Sequence, residues 1–223
     1  MTASRISARS LLRETFATTG PLYAPLLLIN SPSLIFAALN SLGKLGSAGV
    51  AVNIIYWFVV VPLLSGAMIF YTYRSLTKNQ VTVGQAFNQA NRRLLPLIGV
   101  YIMCLLLVSA GFIALIIPGF YVSYRLIFSS YATVIDNSSA LDSLSSSWEL
   151  TKGRWWLVFR STLLIFFVLF VPILLISLLI SSTKNLLASQ LAANLLGFLA
   201  GPSINVYFVF LYLRLRESVA ATQ

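Results

Sequence analysis

Long apolar stretches alternate with short polar segments along most of the chain. The apolar stretches at about 21–40, 48–73, 94–135, 157–181 and 189–213 are each long enough for one membrane-spanning helix, and the third is long enough for two. Three polar segments before or between them show helical spacing with one apolar face, which is typical of helices that lie in the membrane interface. The pattern therefore predicts an all-α integral membrane protein with six transmembrane helices and three interfacial helices. The turn between the third and fourth spans should lie somewhere from Gly111 to Gly119.

The clearest interfacial segment is residues 138–160. Ser139 precedes Asp142 by three residues, as at a capped helix N-terminus, and Gly153 follows the last polar turn, as after a helix C-terminus. We expect a buried apolar face and an exposed polar face on this helix. The apolar face comprises Ala140, Leu141, Leu144 and Trp148, and the polar face comprises Ser143, Ser145, Ser146 and Glu149.

Two fainter copies of this segment lie upstream. When Trp148 is aligned with Phe87 and Phe16, a helix end follows four residues later in each copy, and an apolar run begins nine residues later. Thr82 begins the same capping spacing, and the first copy should end at Gly20. The alignment predicts a threefold repeat within one polytopic domain, although any basic helix before a span gives a similar pattern. The domain is 1–223, and the predicted units are about 5–75, 80–136 and 138–216.

Residues 1–20 admit a second interpretation. They hold Arg5, Arg9 and Arg13 among Ser, Thr and Ala residues, which is also the composition of an organellar transit peptide. We favour the first interfacial helix, because the segment matches the repeat and no cleavage site of small residues precedes the first span.

The composition excludes several kinds of site. The chain is 58% hydrophobic and only 9% charged, whereas soluble domains carry about 25% charged residues. It contains no His and a single cysteine, Cys104, which excludes metal sites built on His or Cys clusters and any disulfide within the chain. No motif for a phosphate-binding loop or an activated nucleophile is present, so we expect neither an enzyme nor a cofactor.

The acids are few, and none falls inside a predicted span, which argues against a proton-coupled transporter. The net charge is +10. Six spans place twelve Lys and Arg residues on one side and only Lys44 and Lys184 on the other, which predicts that both termini are cytoplasmic. We expect a bacterial inner membrane, or an equivalent internal membrane. The predicted partners are anionic lipid headgroups and other membrane subunits, with no nucleic acid.

Arg125 is the one basic residue predicted to lie inside a span, about 15 Å from Asp136 along a helix and so near mid-bilayer. A buried Arg requires partners, and no acid is available at that depth. We expect it to face the bundle interior and to bond Asn or Ser side chains or carbonyls freed by prolines. The candidate polar cluster consists of Asn30, Ser31, Asn53, Arg125 and Asn205. It is either ordinary interhelical packing or a site for an anion such as a lipid phosphate.

A family resemblance begins at Pro118–Gly119 and includes Arg125, Ala140–Leu141, Ser147–Trp148 and Leu150–Gly153. These residues resemble a family of uncharacterised six-span bacterial membrane proteins, similar to the membrane domain attached to some glycerophosphodiester phosphodiesterases. Ser147–Trp148 lies two residues further along than the family spacing. The hydrolase domain of those relatives is not found here, so the resemblance implies a fold and a membrane location without their catalysis.

These observations together predict a non-enzymatic, multi-span membrane protein. It would act as a structural or accessory component of the membrane or of a larger membrane complex. The alternative is a transporter or lipid-handling protein with a polar cavity around Arg125.

Overall fold

The structure, a computed structural model, describes residues 8–43, 49–181 and 186–220, and these are helical almost throughout with no β-strand among them. A π-helical turn, Tyr56–Val60, joins the second and third α-helices. The α-helices are α1 (Ala8–Ser41), α2 (Gly49–Ile55), α3 (Val61–Leu76), α4 (Val83–Arg92), α5 (Leu94–Ala114), α6 (Ile116–Leu126), α7 (Ser129–Ile135), α8 (Ala140–Thr151), α9 (Trp155–Ser181) and α10 (Leu186–Ala220).

Five helical stretches are long and apolar enough to cross a membrane. The prediction of an all-α protein is confirmed, and these five stretches are candidates for membrane-spanning helices. Lys44 and Lys184 are the two basic residues predicted to lie on the non-cytoplasmic side. Both lie outside the described residues. The five stretches are Ala8–Ser41, Gly49–Leu76, Leu94–Ala114, Trp155–Ile180 and Leu187–Ala220.

Helices α1 and α10 pack against each other along their length. Near one end of the pair, Arg214 Nη2 donates to both carboxylate oxygens of Glu14, at 3.1 and 3.0 Å. Near the other end, Asn194 Nδ2 donates to Ser41 Oγ at 3.0 Å. These contacts join the beginning of each helix to the end of the other, so the two helices run antiparallel.

The predicted end of a first interfacial helix at Gly20 is wrong, because α1 continues through Gly20 and Pro21. Proline is tolerated in a membrane helix when neighbouring groups satisfy the backbone. At the third proline of α1, Pro32, the Ser31 hydroxyl donates at 2.8 Å to Leu28 O, the carbonyl that the missing N–H of Pro32 leaves unpaired. The first predicted repeat unit therefore lacks a separate interfacial helix.

The third long apolar stretch turns back at Leu115, whose φ of −170° and ψ of 158° are extended. This position lies between Gly111 and Gly119, where the turn was predicted. The returning segment is not one span, however. It forms two short helices, α6 and α7, with a break at residues 127–128.

Helix α4 is capped as predicted. Thr82 Oγ1 accepts a bond from Gln85 N at 3.2 Å, and Thr82 N donates to Gln85 Oε1 at 2.9 Å, which completes a capping box. Ala86 and Ala90 are fully buried and pack in a cluster that includes residues of α1, α3 and α10. Their small side chains allow α4 to lie close against α3.

Helix α8 begins where its capping residue predicts, since Ser139 Oγ accepts a bond from Asp142 N at 3.3 Å. Its predicted buried face is partly wrong. Leu144 is buried, but Leu141 is 66% exposed and Ser143 is fully buried. Ser143 faces inward because Thr133 Oγ1 on α7 donates to its hydroxyl at 2.8 Å, and a small residue lets the two helices approach closely.

Candidate functional site

Arg125 lies at the junction of α6 and α8 and is only 4% exposed. Its guanidinium carbon is 4.4 Å from the centroid of the Trp148 ring and 5.7 Å from that of Tyr121. Contacts between a desolvated cation and an aromatic face are worth about 2 kcal/mol. Trp155, at the start of α9, packs against Tyr121 with ring centroids 6.0 Å apart. We call Arg125, Tyr121, Trp148 and Trp155 the Arg125 junction.

The Ser147 hydroxyl forms hydrogen bonds with two backbone groups at the break between α6 and α7. Its hydroxyl donates to Arg125 O at 2.7 Å and accepts from Phe128 N at 3.1 Å. Thr151 Oγ1 lies 3.4 Å from the same carbonyl oxygen. A continuous helix would satisfy this donor and this acceptor internally. Helix α8 therefore supplies the bonds that the break removes, and its next residue, Trp148, covers Arg125.

A basic turn lies next to Arg125. The carbonyl of Arg125 contacts the last turn of α8, and Lys152 and Arg154 follow that turn directly. Arg154 Nη2 in turn donates to Ser218 O near the end of α10, at 3.3 Å. The depth of Arg125 in a bilayer stays a prediction.

The predicted polar cluster is not one site. Arg125 does face the interior, but its Nε is buried without a hydrogen-bond partner in the described part of the chain. The other four residues have other partners. Asn205 Oδ1 accepts from Thr72 at 2.7 Å, Asn53 Oδ1 accepts from Asn40 at 3.4 Å, Asn30 Oδ1 accepts from Ser33 at 3.0 Å, and Ser31 donates to Leu28 O at 2.8 Å.

A second polar centre lies between α1, the π-helical turn and α10. It is a cavity of about 560 Å³, which we call the amide cavity. Its lining includes the carboxamides of Asn40, Gln190 and Asn194, and one aromatic wall is formed by Phe36 stacked on Tyr56 with centroids 3.6 Å apart. These side chains are uncharged donors and acceptors, so the cavity suits a neutral hydroxyl-bearing group.

Sequence reasoning missed Asn40, Gln190 and Asn194. The signal for them was their position, because each is a carboxamide at the end of an apolar stretch. Nothing in the sequence shows that these ends come together. The antiparallel pairing of α1 with α10 does so, through Asn194 and Ser41.

The carboxylates have structural roles. Asp136, at the end of α7, accepts a bond from the Tyr212 hydroxyl and pairs with Arg216 Nη1 at 2.7 Å. Glu14 pairs with Arg214, as described above. The Asp142 carboxylate accepts a bond from the hydroxyl of Ser139, the residue that caps α8, and Glu149 lies 3.7 Å from Lys152. Across the described ranges, no group of three or more His, Cys, Asp or Glu residues could hold a metal ion.

A family model matches residues 103–221, which is more than half of the chain. Its description is a domain of unknown function, DUF7847. The chain belongs to this family. The matched region begins within α5 and contains the Arg125 junction, the helix break and the α9–α10 pair, whereas α1 to α4 precede it. No curated protein and no solved structure matches the chain.

Proposed function

We propose that this chain is a non-enzymatic structural or accessory component of the membrane or of a larger membrane complex. The observation that carries the proposal is the placement of its acids. Glu14 and Asp136 form ion pairs with arginines of α10. Asp142 accepts a bond from the hydroxyl that caps α8, and Glu149 lies 3.7 Å from Lys152 at the end of α8. These are four of the five acids in the chain. A carboxylate that acts as an acid or base must instead reach a substrate.

Mass measurement tests this proposal directly. The full chain is excised from its native membrane in polymer-bounded discs, without detergent, and the composition of the discs is measured. We expect a second protein in fixed stoichiometry, and an unrelated membrane protein excised from the same membrane serves as the control. Discs that hold this chain with lipid alone would contradict the accessory role in a complex.

We further propose six membrane crossings, the fourth made by α6 and α7 together. The antiparallel pairing of α1 with α10 supports this, because it requires an even number of crossings. The basic residues support cytoplasmic termini. Arg74, Arg92, Arg154 and Arg214 all lie near helix ends that would then face the cytoplasm. Helices α4 and α8 would lie on this face, next to anionic headgroups.

Single-cysteine labelling in a Cys104→Ala background tests the topology. We expect Gln80→Cys, in the exposed turn before α4, to react with an impermeant thiol reagent only after the membrane is opened. Leu42→Cys, at the far end of α1, is the matched control and should react in intact cells. Both side chains are exposed, so access to the reagent depends on the side of the membrane. Labelling of position 80 from the outside alone would contradict six crossings.

A lipid-handling or transport function is the second candidate, and the unpartnered Nε of Arg125 favours it. A buried cation without an acid is a functional-site hypothesis by default. An anionic lipid phosphate would supply the missing acceptor. The cation–π contacts with Trp148 and Tyr121 are the competing structural explanation.

Replacing Arg125 with Leu separates these two roles. If the residue only packs helices, the free energy of unfolding should stay the same or rise, because the cost of burying the charge disappears. Stability is measured by denaturation in mixed micelles, and bound lipid is counted by mass spectrometry. Arg160→Leu, which removes an exposed Arg from α9, is the matched control. A folded Arg125→Leu protein that alone loses an anionic lipid would favour the lipid-handling function.

A further inference from the structure

A long apolar groove lies between α9 and α10, away from the Arg125 junction. Its volume is about 530 Å³, and its lining is almost entirely apolar. The lining runs from Thr162 to Ser177 on α9 and from Ala193 to Phe208 on α10.

The length of the groove suits an extended hydrocarbon chain. From Thr162 to Ser177 the groove extends roughly 22 Å at the helical rise of 1.5 Å per residue. An alkyl chain is about 5 Å thick, given carbon contact distances near 4 Å. The groove therefore has room for one hydrocarbon chain.

The groove exists because small residues on α10 face large ones on α9. Ala193, Gly197 and Ala200 form its floor, at a spacing that normally allows two helices to approach closely. On α9, Phe166 and Phe170 stack with centroids 4.5 Å apart and form one wall. A Cβ added to Gly197 would meet nothing within 4 Å. The space above the small residues is thus left open.

We propose that this groove binds one acyl chain of a membrane lipid. An apolar space of this size is not filled by water, and in a bilayer the abundant apolar group is the lipid chain. An extended chain advances about 1.3 Å per carbon, since its C–C bonds are about 1.5 Å long, so the groove accepts roughly 17 carbons. This site goes beyond the proposed structural role and does not depend on it.

Polar groups lie at and beyond the ends of the groove. Trp155 and Trp156, which favour the membrane–water interface, begin α9 two turns before Thr162. Thr162 and Ser177 carry hydroxyls that are buried without a hydrogen-bond partner in the described part of the chain. The acyl chain would lie along the apolar lining between these two residues.

Larger side chains at Gly197, on the floor of the groove, would fill the groove and so test the site. In Gly197→Leu the new side chain enters the open space, and the helix gains propensity, so the fold should survive. Gly197→Ala is a smaller change at the same position. Leu195→Phe enlarges a side chain that is exposed on α10 outside the groove, and it is the control. Each full-length protein is excised in polymer-bounded discs, transferred to mild detergent, and its retained lipids are counted by native mass spectrometry.

We expect the wild type and Leu195→Phe to retain one lipid that survives the transfer. The fraction of Gly197→Leu protein that retains the lipid should be at least tenfold lower than that of the wild type. The decrease for Gly197→Ala should be smaller, and both variants should keep the helical content of the wild type by circular dichroism. Equal retention by Gly197→Leu and wild type would overturn the proposal. A wild type that retains no lipid, or a second protein crosslinked to position 197, would also overturn it. If Gly197→Leu fails to fold, undiminished retention by Gly197→Ala overturns the proposal, and reduced retention supports it.

Discussion

Replacing Ser147 with Ala is expected to lower the free energy of unfolding by about 2–4 kcal/mol. The hydroxyl satisfies two buried backbone groups at once, Arg125 O and Phe128 N. Leaving a buried polar group unsatisfied costs about 1–3 kcal/mol, and Thr151 offers Arg125 O only a long replacement at 3.4 Å. No protein group in the described ranges is placed to take over the bond from Phe128 N.

Denaturation of the purified protein in mixed micelles measures this loss. Ser145→Ala is the matched control, because it makes the same chemical change on an exposed position of α8. The control should stay within about 0.5 kcal/mol of the wild type. Equal stability of the two variants would show that the hydroxyl of Ser147 does not support the helix break.

Adding one methyl group to Gly119 is expected to cost about 1–3 kcal/mol through overpacking. Its Cβ would collide with ring atoms of Phe112 on α5, where the two helices meet after the turn. A Cβ at Gly111 would lie 3.0 Å from the Cα of Gly119, which is backbone and cannot move aside easily. Gly119→Ala and Gly111→Ala should therefore both destabilise the α5–α6 hairpin.

Gly20→Ala is the control for this pair and should change stability in the opposite direction. It lies inside α1, and its added Cβ would meet nothing within 4 Å. Ala in a helix interior is favoured over Gly by about 0.5–1 kcal/mol. Thermal unfolding of the three variants compares them directly. A destabilised Gly20→Ala, or a neutral Gly119→Ala, would contradict the close packing described for α5 and α6.

The sequence predicted those features that depend on nearby residues. Thr82 with Gln85 and Ser139 with Asp142 set the starts of α4 and α8 through bonds three residues apart, so spacing alone located them. The extended turn at Leu115 was bracketed by its flanking glycines. Arg125 was singled out by its charge within an apolar stretch, and its burial agrees with that interpretation.

The features that were missed depend on distant parts of the chain. Helix α1 passes Pro21 because it packs along α10, which lies almost 200 residues away in the sequence. Ser143 is buried because α7 brings Thr133 to it. The amides of the polar cluster could not be paired from spacing, since Asn205 meets Thr72 across two helices. In the last two cases a polar residue pairs with a hydroxyl or amide group of a neighbouring helix, which its position in the sequence does not show.

The pairing of α1 with α10 also constrains the order in which the chain can assemble. Glu14 and Arg214 are 200 residues apart, and ribosomes add roughly 5–20 residues per second. The first helix must therefore wait about 10–40 s in the bilayer before its main partner is synthesised. During that interval Glu14 lacks its ion-pair partner, and the side of α1 that packs on α10 is open to other chains. An insertion factor that shields α1 until translation ends would protect the protein from mispairing.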